Sequence, residues 1–383
     1  MKEIASRLNE FKDSIFGVIS ALARDYDAVN LGQGFPDFDA PEFLKKIAEQ
    51  KIHEGHNQYA PFHGTSNLRA EISSYYDRFY GLKYDTEKEI SVTVGGTEAI
   101  YCALMALVNP GEEVIVLEPF YDSYVAAAKM AGGVVVPVTL HGPNFELNLD
   151  ELKAAITPKT KMIIVNNPHN PSGKVWEKEE LESVAKLAIE HDLYVMSDEV
   201  YEFLLFDGAK HIPMATLEDI RERVITISSA AKTFGVTGWK IGWICASPEV
   251  SRACRLVHQY ITFAVATPLQ EAIAVGLKNL ETYIPEFQET YQKKRDYFYK
   301  ELTDLGFEFP KPRGSFFMMV PIKDKTDLND VDYAMKLIRD HKVAAVPPSA
   351  FYLKSTEGEG YLRFCFAKKD ETLKLAVQNL QGL

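Results

Sequence analysis

The chain has 383 residues, 46% hydrophobic and 25% charged, with 42 Lys and Arg against 54 Asp and Glu for a formal charge of −12. This is the composition of a soluble globular protein long enough for two cores. The acidic balance argues against a nucleic-acid binder, and no apolar run reaches the roughly 18 residues of a membrane span.

The start, Met1-Lys2-Glu3-Ile4-Ala5-Ser6-Arg7, carries acid and lacks an apolar h-region, so no secretory signal is expected. The first forty residues show no strand rhythm and are expected to pack with the C-terminal part. From residue 90, β-branched runs predict strands over 90–94, 114–117, 134–140, 162–165, 194–196 and 224–227. Between them, helices are expected around 99–104, 124–130 and 179–191; in the last, Leu181, Val184, Leu187 and Ala188 share a face. Strands separated by helices imply a mostly parallel sheet covered on both faces.

Ser247-Pro248-Glu249 opens a helical region, with a cap, Pro at the first helical position and an acid in the first turn. A long polar helix is expected over 285–305, strands over 316–320 and 362–366, a helix over 331–341 and another closing the chain. The fold class is thus α/β: a large domain with flanking helices, and a smaller α+β domain. The expected division is 1–40 as a segment packing with the small domain, 41–280 as the large domain and 281–383 as the small one. Cys102, Cys245, Cys254 and Cys365 lie in apolar stretches without Cys-x-x-Cys spacing and read as reduced thiols of a cytoplasmic protein. His53-Glu54-Gly55-His56 and His63 do not match His-Glu-x-x-His spacing, and no metal is expected.

Ligands of such sheets bind beyond the carboxyl ends of the strands, and there the loops are unusual. Ser228-Ser229-Ala230-Ala231-Lys232-Thr233-Phe234 reads as a capped helix start with a solvated lysine, as a Ser-x-x-Lys acyl-transfer pair, or as an imine-forming lysine beside phosphate-binding Ser229 and Lys240. The acyl-transfer reading lacks its companions, since Ser197-Asp198-Glu199 and Lys232-Thr233-Phe234 stand in place of Ser-Asp-Asn and Lys-Thr-Gly. Asp198 ends an apolar strand, where a carboxylate either caps the next helix or faces a cation; Tyr201 can offer a hydroxyl to the same ligand. Asn166-Asn167-Pro168-His169-Asn170-Pro171-Ser172-Gly173 is a turn whose prolines restrict φ, which would aim the Asn170 amide inward. Gly95-Gly96-Thr97-Glu98 joins a strand to a helix start and suits an isolated phosphate; it is neither Gly-x-Gly-x-x-Gly nor a P-loop. A phosphate cup, an imine-forming lysine, a carboxylate and an aromatic ring at Tyr121 together describe pyridoxal phosphate.

With these residues in hand, the chain resembles the fold-type I pyridoxal-phosphate aminotransferases of class I/II, and among them the kynurenine/glutamine transaminase and methionine aminotransferase group. The likeness spans roughly residues 30–368 and rests on Asn30-Leu31-Gly32-Gln33-Gly34-Phe35-Pro36-Asp37, Asn57-Gln58-Tyr59-Ala60-Pro61, the Gly95 turn, segments 166–173, 197–201 and 228–243, and Tyr361-Leu362-Arg363-Phe364. It implies an aspartate-aminotransferase-like fold and a homodimer that shares its active sites. By the same resemblance Lys232 would carry the cofactor and shuttle the proton, Asp198 would bind the pyridine nitrogen, and Tyr201 and Asn170 the ring hydroxyl. Tyr121 would stack on the ring, while Gly96, Thr97, Ser229 and Lys240 would hold the phosphate, with Tyr59 reaching it from the neighbouring subunit. Lys240 stands where some relatives have Arg, and a lysine still serves as a point charge for phosphate. Arg363 would clamp the substrate α-carboxylate, helped by Gly34 and Asn170.

Phe16, the Phe35-Pro36 corner, Tyr59-Ala60-Pro61-Phe62 and Phe263 stand where relatives line the side-chain pocket, or are plain core aromatics. An apolar, aromatic pocket favours methionine, glutamine, phenylalanine, tyrosine or kynurenine over aspartate as amino donor to a 2-oxo acid. Two alternatives stand beside this: a cysteine-conjugate or cystathionine-type C–S β-lyase on the same scaffold, and a non-catalytic ligand-sensing binder, against which the lysine, aspartate and arginine set speaks.

Overall fold

The computed structural model describes residues 5–9, 11 and 13–382; residues 1–4 of the stretch read for a secretory signal lie outside the described residues. Its centre is an eight-stranded sheet of β2 (Ile90–Val94), β3 (Glu113–Glu118), β4 (Val134–His141), β5 (Glu146–Leu147), β6 (Thr160–Asn166), β7 (Tyr194–Asp198), β8 (Val224–Ser229) and β9 (Ile241–Cys245). The strand order is β2-β9-β8-β7-β6-β3-β4-β5. The run from β4 through β3, β6 and β7 to β8 is parallel throughout.

Both faces of this sheet are buried, which is why its strands read as continuous β-branched runs. Ile115, Ile163 and Val195 point into one core, and their neighbours Val114, Val116, Met162, Ile164 and Met196 into the other. That is the period-two alternation of a strand with apolar side chains on both sides. The helices Gly95–Leu107 and Pro248–Ile261 contribute buried residues to the second core.

The strand pattern expected from sequence lacked β9, which lies antiparallel between β2 and β8. Its signal is diluted by Gly242, and the fold needs that glycine: a Cβ there would lie 2.5 Å from the Gly95 carbonyl carbon. The two-residue β5, antiparallel to β4, is too short to show a period. The long helix runs over Leu280–Asp304, starting five residues before its expected start and carrying Pro285 inside. Buried Leu280, Ile284, Phe287 and Tyr291 hold that first stretch to the core, which offsets the cost of an interior proline.

The amino-terminal segment has a strand after all: β1 (Val29–Asn30) pairs in parallel with β11 (Val343–Ala344). Before it, the helix Ile15–Asp25 packs Ile19 and Ala23 against Ile338 and Ala344. A separate antiparallel pair, β10 (Phe317–Pro321) with β12 (Tyr361–Cys365), sets Arg363 opposite Met319. Among the described residues no helix is long and apolar enough to cross a membrane. All four cysteines are buried and free.

Candidate active site

A cavity of about 290 Å³ opens where β6, β7 and β8 end and where the helix Gly95–Leu107 begins, and side chains from both ends of the chain close it. Lys232 enters from the turn after β8. Its Nζ donates to the Gly34 carbonyl at 2.9 Å and lies 5.1 Å from the Phe316 ring and 5.6 Å from the Tyr201 ring. Lys232 lines the cavity, and burial brings its amine from the ordinary lysine value down to about 8. Such an amine is available in its neutral, nucleophilic form near physiological pH.

Asp198, the last residue of β7, is buried and lines the same cavity. Burial pushes its carboxyl up to about 6, and the Tyr124 hydroxyl works against that shift by donating to Oδ2 at 2.5 Å. The Asp198 main chain is held as well: its carbonyl accepts from Asn166 Nδ2 at 2.9 Å and from Asn167 N–H at 3.0 Å. Asn166 Oδ1 in turn accepts the Asn170 N–H at 2.6 Å. The ends of β6 and β7 are thereby locked in register, and the carboxylate faces the cavity with Oδ1 bonded only to the distant Val200 N–H at 3.3 Å.

Donors for an anion gather at one end. Gly96 and Thr97 lie in the first turn of the helix Gly95–Leu107, whose leading N–H groups lack intrahelical partners. Gly95 has φ +72°, and a Cβ on it would meet Lys240 Nζ at 3.1 Å, so the glycine lets the lysine cross over the turn. Ser229 lines the same end, its Oγ accepting the Ala231 N–H at 3.0 Å.

At the other end Arg363 is fully buried in an unusual setting. Its guanidinium lies 4.1 Å from the Phe317 ring, 4.9 Å from Phe16 and 5.2 Å from Phe351. It donates to neutral acceptors only, Asn170 Oδ1 at 3.2 Å and the Gly32 carbonyl at 2.8 Å, and its buried Nε has no partner. No carboxylate pairs with it among the described residues. Burial lowers it to about 10, against the nearby Asp122 carboxylate, which favours the charge, and a buried charge without a salt bridge is costly. That cost is relieved when an anion arrives. Gly34 shapes this end too, since a Cβ there would lie 2.8 Å from the Phe317 ring.

The structure gathers Phe16, Gly34, Gly96, Thr97, Tyr121, Asn170, Asp198, Tyr201, Ser229, Lys232, Lys240 and Arg363 around one cavity, with Phe35 beside them. Pro36, the segment Tyr59-Ala60-Pro61-Phe62 and Phe263 stay outside it. Tyr59 is 82% exposed and meets Phe263 edge-on at 5.3 Å on the surface. Phe263, expected as a pocket-lining residue, does not line the cavity of its own chain: its positive φ of +73°, just past the helix Pro248–Ile261, turns it outward. Residues the sequence reading missed are Tyr124, Phe317 and Phe351. Tyr124, in the first turn of the helix Asp122–Met130, meets Tyr121, the extended residue just before that helix, edge-on at 5.7 Å. The two phenylalanines carry no signal that separates them from core. Among the described residues no group of three or more His, Cys, Asp or Glu side chains could hold a metal ion.

The donor set fits pyridoxal phosphate: anion donors at one end, an amine of lowered pKa in the middle, a buried carboxylate for a ring cation, and the Tyr121 ring at the wall. Comparison with known proteins agrees. The family model described as "Aminotransferase class I and II" matches residues 26–380. The methionine aminotransferase of Escherichia coli superposes with a TM-score of 0.96 at 38% identity over 100% of both chains. The N-succinyldiaminopimelate aminotransferase of Mycobacterium tuberculosis gives 0.95 at 40% identity over 99% of each. A kynurenine–oxoglutarate transaminase from Dictyostelium discoideum is 39% identical over 99% of this chain and 96% of its own.

Proposed function

This chain belongs to the class I and II aminotransferases, pyridoxal-phosphate enzymes, and we propose that it transfers the amino group of an apolar, sulfur-containing or aromatic amino acid to a 2-oxo acid. The observation that carries this reading is Arg363, a buried guanidinium with neutral partners and aromatic neighbours. It is the site of an α-carboxylate, which it can grip bidentately. Beyond it the wall is apolar and aromatic, with Phe16, Phe35, Tyr121 and Phe317, and Arg363 is the only arginine among the described cavity residues. A second substrate carboxylate therefore finds no matching guanidinium among the described cavity residues. The methionine and kynurenine specificities named for relatives support the same class of donor.

The cofactor supplies an aldehyde and an electron-accepting ring; the chain supplies position and proton transfer. Lys232 would hold the cofactor covalently and, once freed, take the proton from the substrate α carbon and return it. Its held position contributes more than its basicity. Asp198 would keep the pyridine nitrogen protonated, Tyr201 and Asn170 would bond the ring oxygen, and Tyr121 would stack on the ring. Gly96, Thr97, Ser229 and Lys240 would hold the phosphate, while Gly34 and Asn170 would complete the carboxylate grip of Arg363.

The exposed aromatics Tyr59 and Phe263 meet in one surface patch. We infer that it packs on a second copy, with Tyr59 and Phe263 completing the partner's cavity. We also infer the division 1–40, 41–280 and 281–383 as working units, and a cytoplasmic setting, for which the free thiols speak. Single-turnover spectroscopy with a panel of amino acids tests the substrate reading. Methionine and phenylalanine should convert the bound cofactor fastest, whereas faster reaction with aspartate overturns it. Pyruvate and ammonia released without an oxo-acid acceptor would mark a C–S β-lyase instead.

A further inference from the structure

Glu118, the last residue of β3, is fully buried, and among the described residues no cation pairs with it. Its carboxylate accepts four hydrogen bonds instead. Oε1 takes the Thr139 hydroxyl at 2.9 Å and the Ser355 N–H at 2.8 Å; Oε2 takes the Leu353 and Lys354 N–H groups at 2.7 and 3.1 Å. Three consecutive main-chain amides from a segment some 235 residues away in sequence thus close around one side chain. The same segment is tied to the large sheet twice more. Phe120 N–H donates to the Phe351 carbonyl at 3.0 Å, and Glu357 accepts Gly142 N–H at 3.1 Å with His141 Nδ1 at 2.7 Å.

On its other side the segment frames the arginine. Val346 and Arg363 exchange main-chain hydrogen bonds of 2.9 and 3.0 Å. The Phe351 ring stacks on Phe16 at 5.7 Å and 28°, and both rings face the guanidinium. We propose that Glu118 is a positioning residue for substrate: it clamps residues 353–355 to the cofactor-bearing sheet and so holds Phe351 and Phe16 against Arg363 in the geometry that receives an α-carboxylate. The proposal rests on the reading of Arg363 given above.

The clamp depends on two acceptor oxygens. Glu118→Gln keeps the shape, but whichever way its amide turns, its NH₂ faces a main-chain N–H, of Ser355 on one side or Leu353 on the other. Glu118→Asp keeps both acceptors one methylene further back.

The experiment compares wild type, E118Q, E118D and R363K. It measures half-reaction rates against amino-acid and oxo-acid concentration, pyridoxal-phosphate affinity of the cofactor-free proteins, and amide exchange over 351–357. E118Q should weaken both carboxylate substrates about tenfold, leave the limiting rate and cofactor affinity within about threefold, and speed exchange over 351–357. E118D should recover much of the lost affinity. Unchanged substrate affinity in E118Q, with R363K impaired, overturns the role of Glu118 alone. Equal losses in limiting rate, substrate and cofactor binding also overturn it, because they mark general support of the site. If R363K binds carboxylates normally, it is the reading of Arg363 that fails. Should E118Q not fold, Phe351→Ala decides: a loss confined to substrate affinity supports the proposal, and unchanged affinity overturns it.

Discussion

The two ends of the active site are built differently. The cofactor end comes from consecutive strand ends of one sheet, β6, β7 and β8, and its groups brace one another, Tyr124 on Asp198, Asn166 on the Asp198 carbonyl and Ala231 on Ser229, while the helix-start N–H groups and Asp198 Oδ1 stay open to the cavity. The carboxylate end is assembled from the amino-terminal helix, the Gly34 turn and the C-terminal third, and its central guanidinium makes no salt bridge among the described residues. The lesson is physical. A group that stays bound is served by neighbouring strand ends that brace one another, and a group that comes and goes by a buried guanidinium assembled from distant segments.

Substitutions can break that contrast. Lys232→Ala should have the largest effect, lowering amino transfer on the order of 10⁴-fold while pyridoxal phosphate still binds loosely; turnover and cofactor retention measured on one preparation would show both. Near-normal turnover would remove Lys232 from the chemistry. Next in size, Arg363→Lys should weaken amino and oxo acids alike by about a hundredfold, with cofactor affinity little changed. If cofactor affinity fell with it, the two ends would not be separable.

The cofactor end was largely legible in the sequence because each of its residues sits in a short motif directly after a strand. The periodic runs located the strands, and Asn170, Asp198, Lys232 and the Gly95 turn follow them within a few residues. The carboxylate end was legible only through resemblance. Phe317 and Phe351 have the apolar character and spacing of any core residue, and their meeting with Phe16 depends on contacts far apart in sequence. Glu118 carries no sequence signal of its role, since nothing local announces that a distant loop will close on it. β9 was illegible because Gly242 answers to the approach of Gly95, a constraint from outside its strand.

Smaller effects sharpen the picture within the cofactor end. Tyr124→Phe removes a donor to the ionised carboxylate, so Asp198 in the cofactor-free protein should titrate above its value of about 6. Carbon-13 NMR of labelled aspartate reads this directly, and an unchanged or lowered value would mean the hydroxyl does not stabilise the charge. Smaller still is a pH effect without mutation. Lys232 is protonated below about 8 and free above it, so capture of pyridoxal phosphate by the cofactor-free protein should quicken as pH rises through about 8. An inflection near the ordinary lysine value of 10.5 would show that burial leaves this amine unperturbed.

The most direct check is chemical. Borohydride reduction of the pyridoxal-phosphate-loaded protein, followed by peptide mapping, locates the amine that holds the cofactor. The phosphopyridoxyl group should be found on Lys232, the amine resting against the Gly34 carbonyl. A label fixed on Lys240 or any other lysine, or no label at all, would contradict the account.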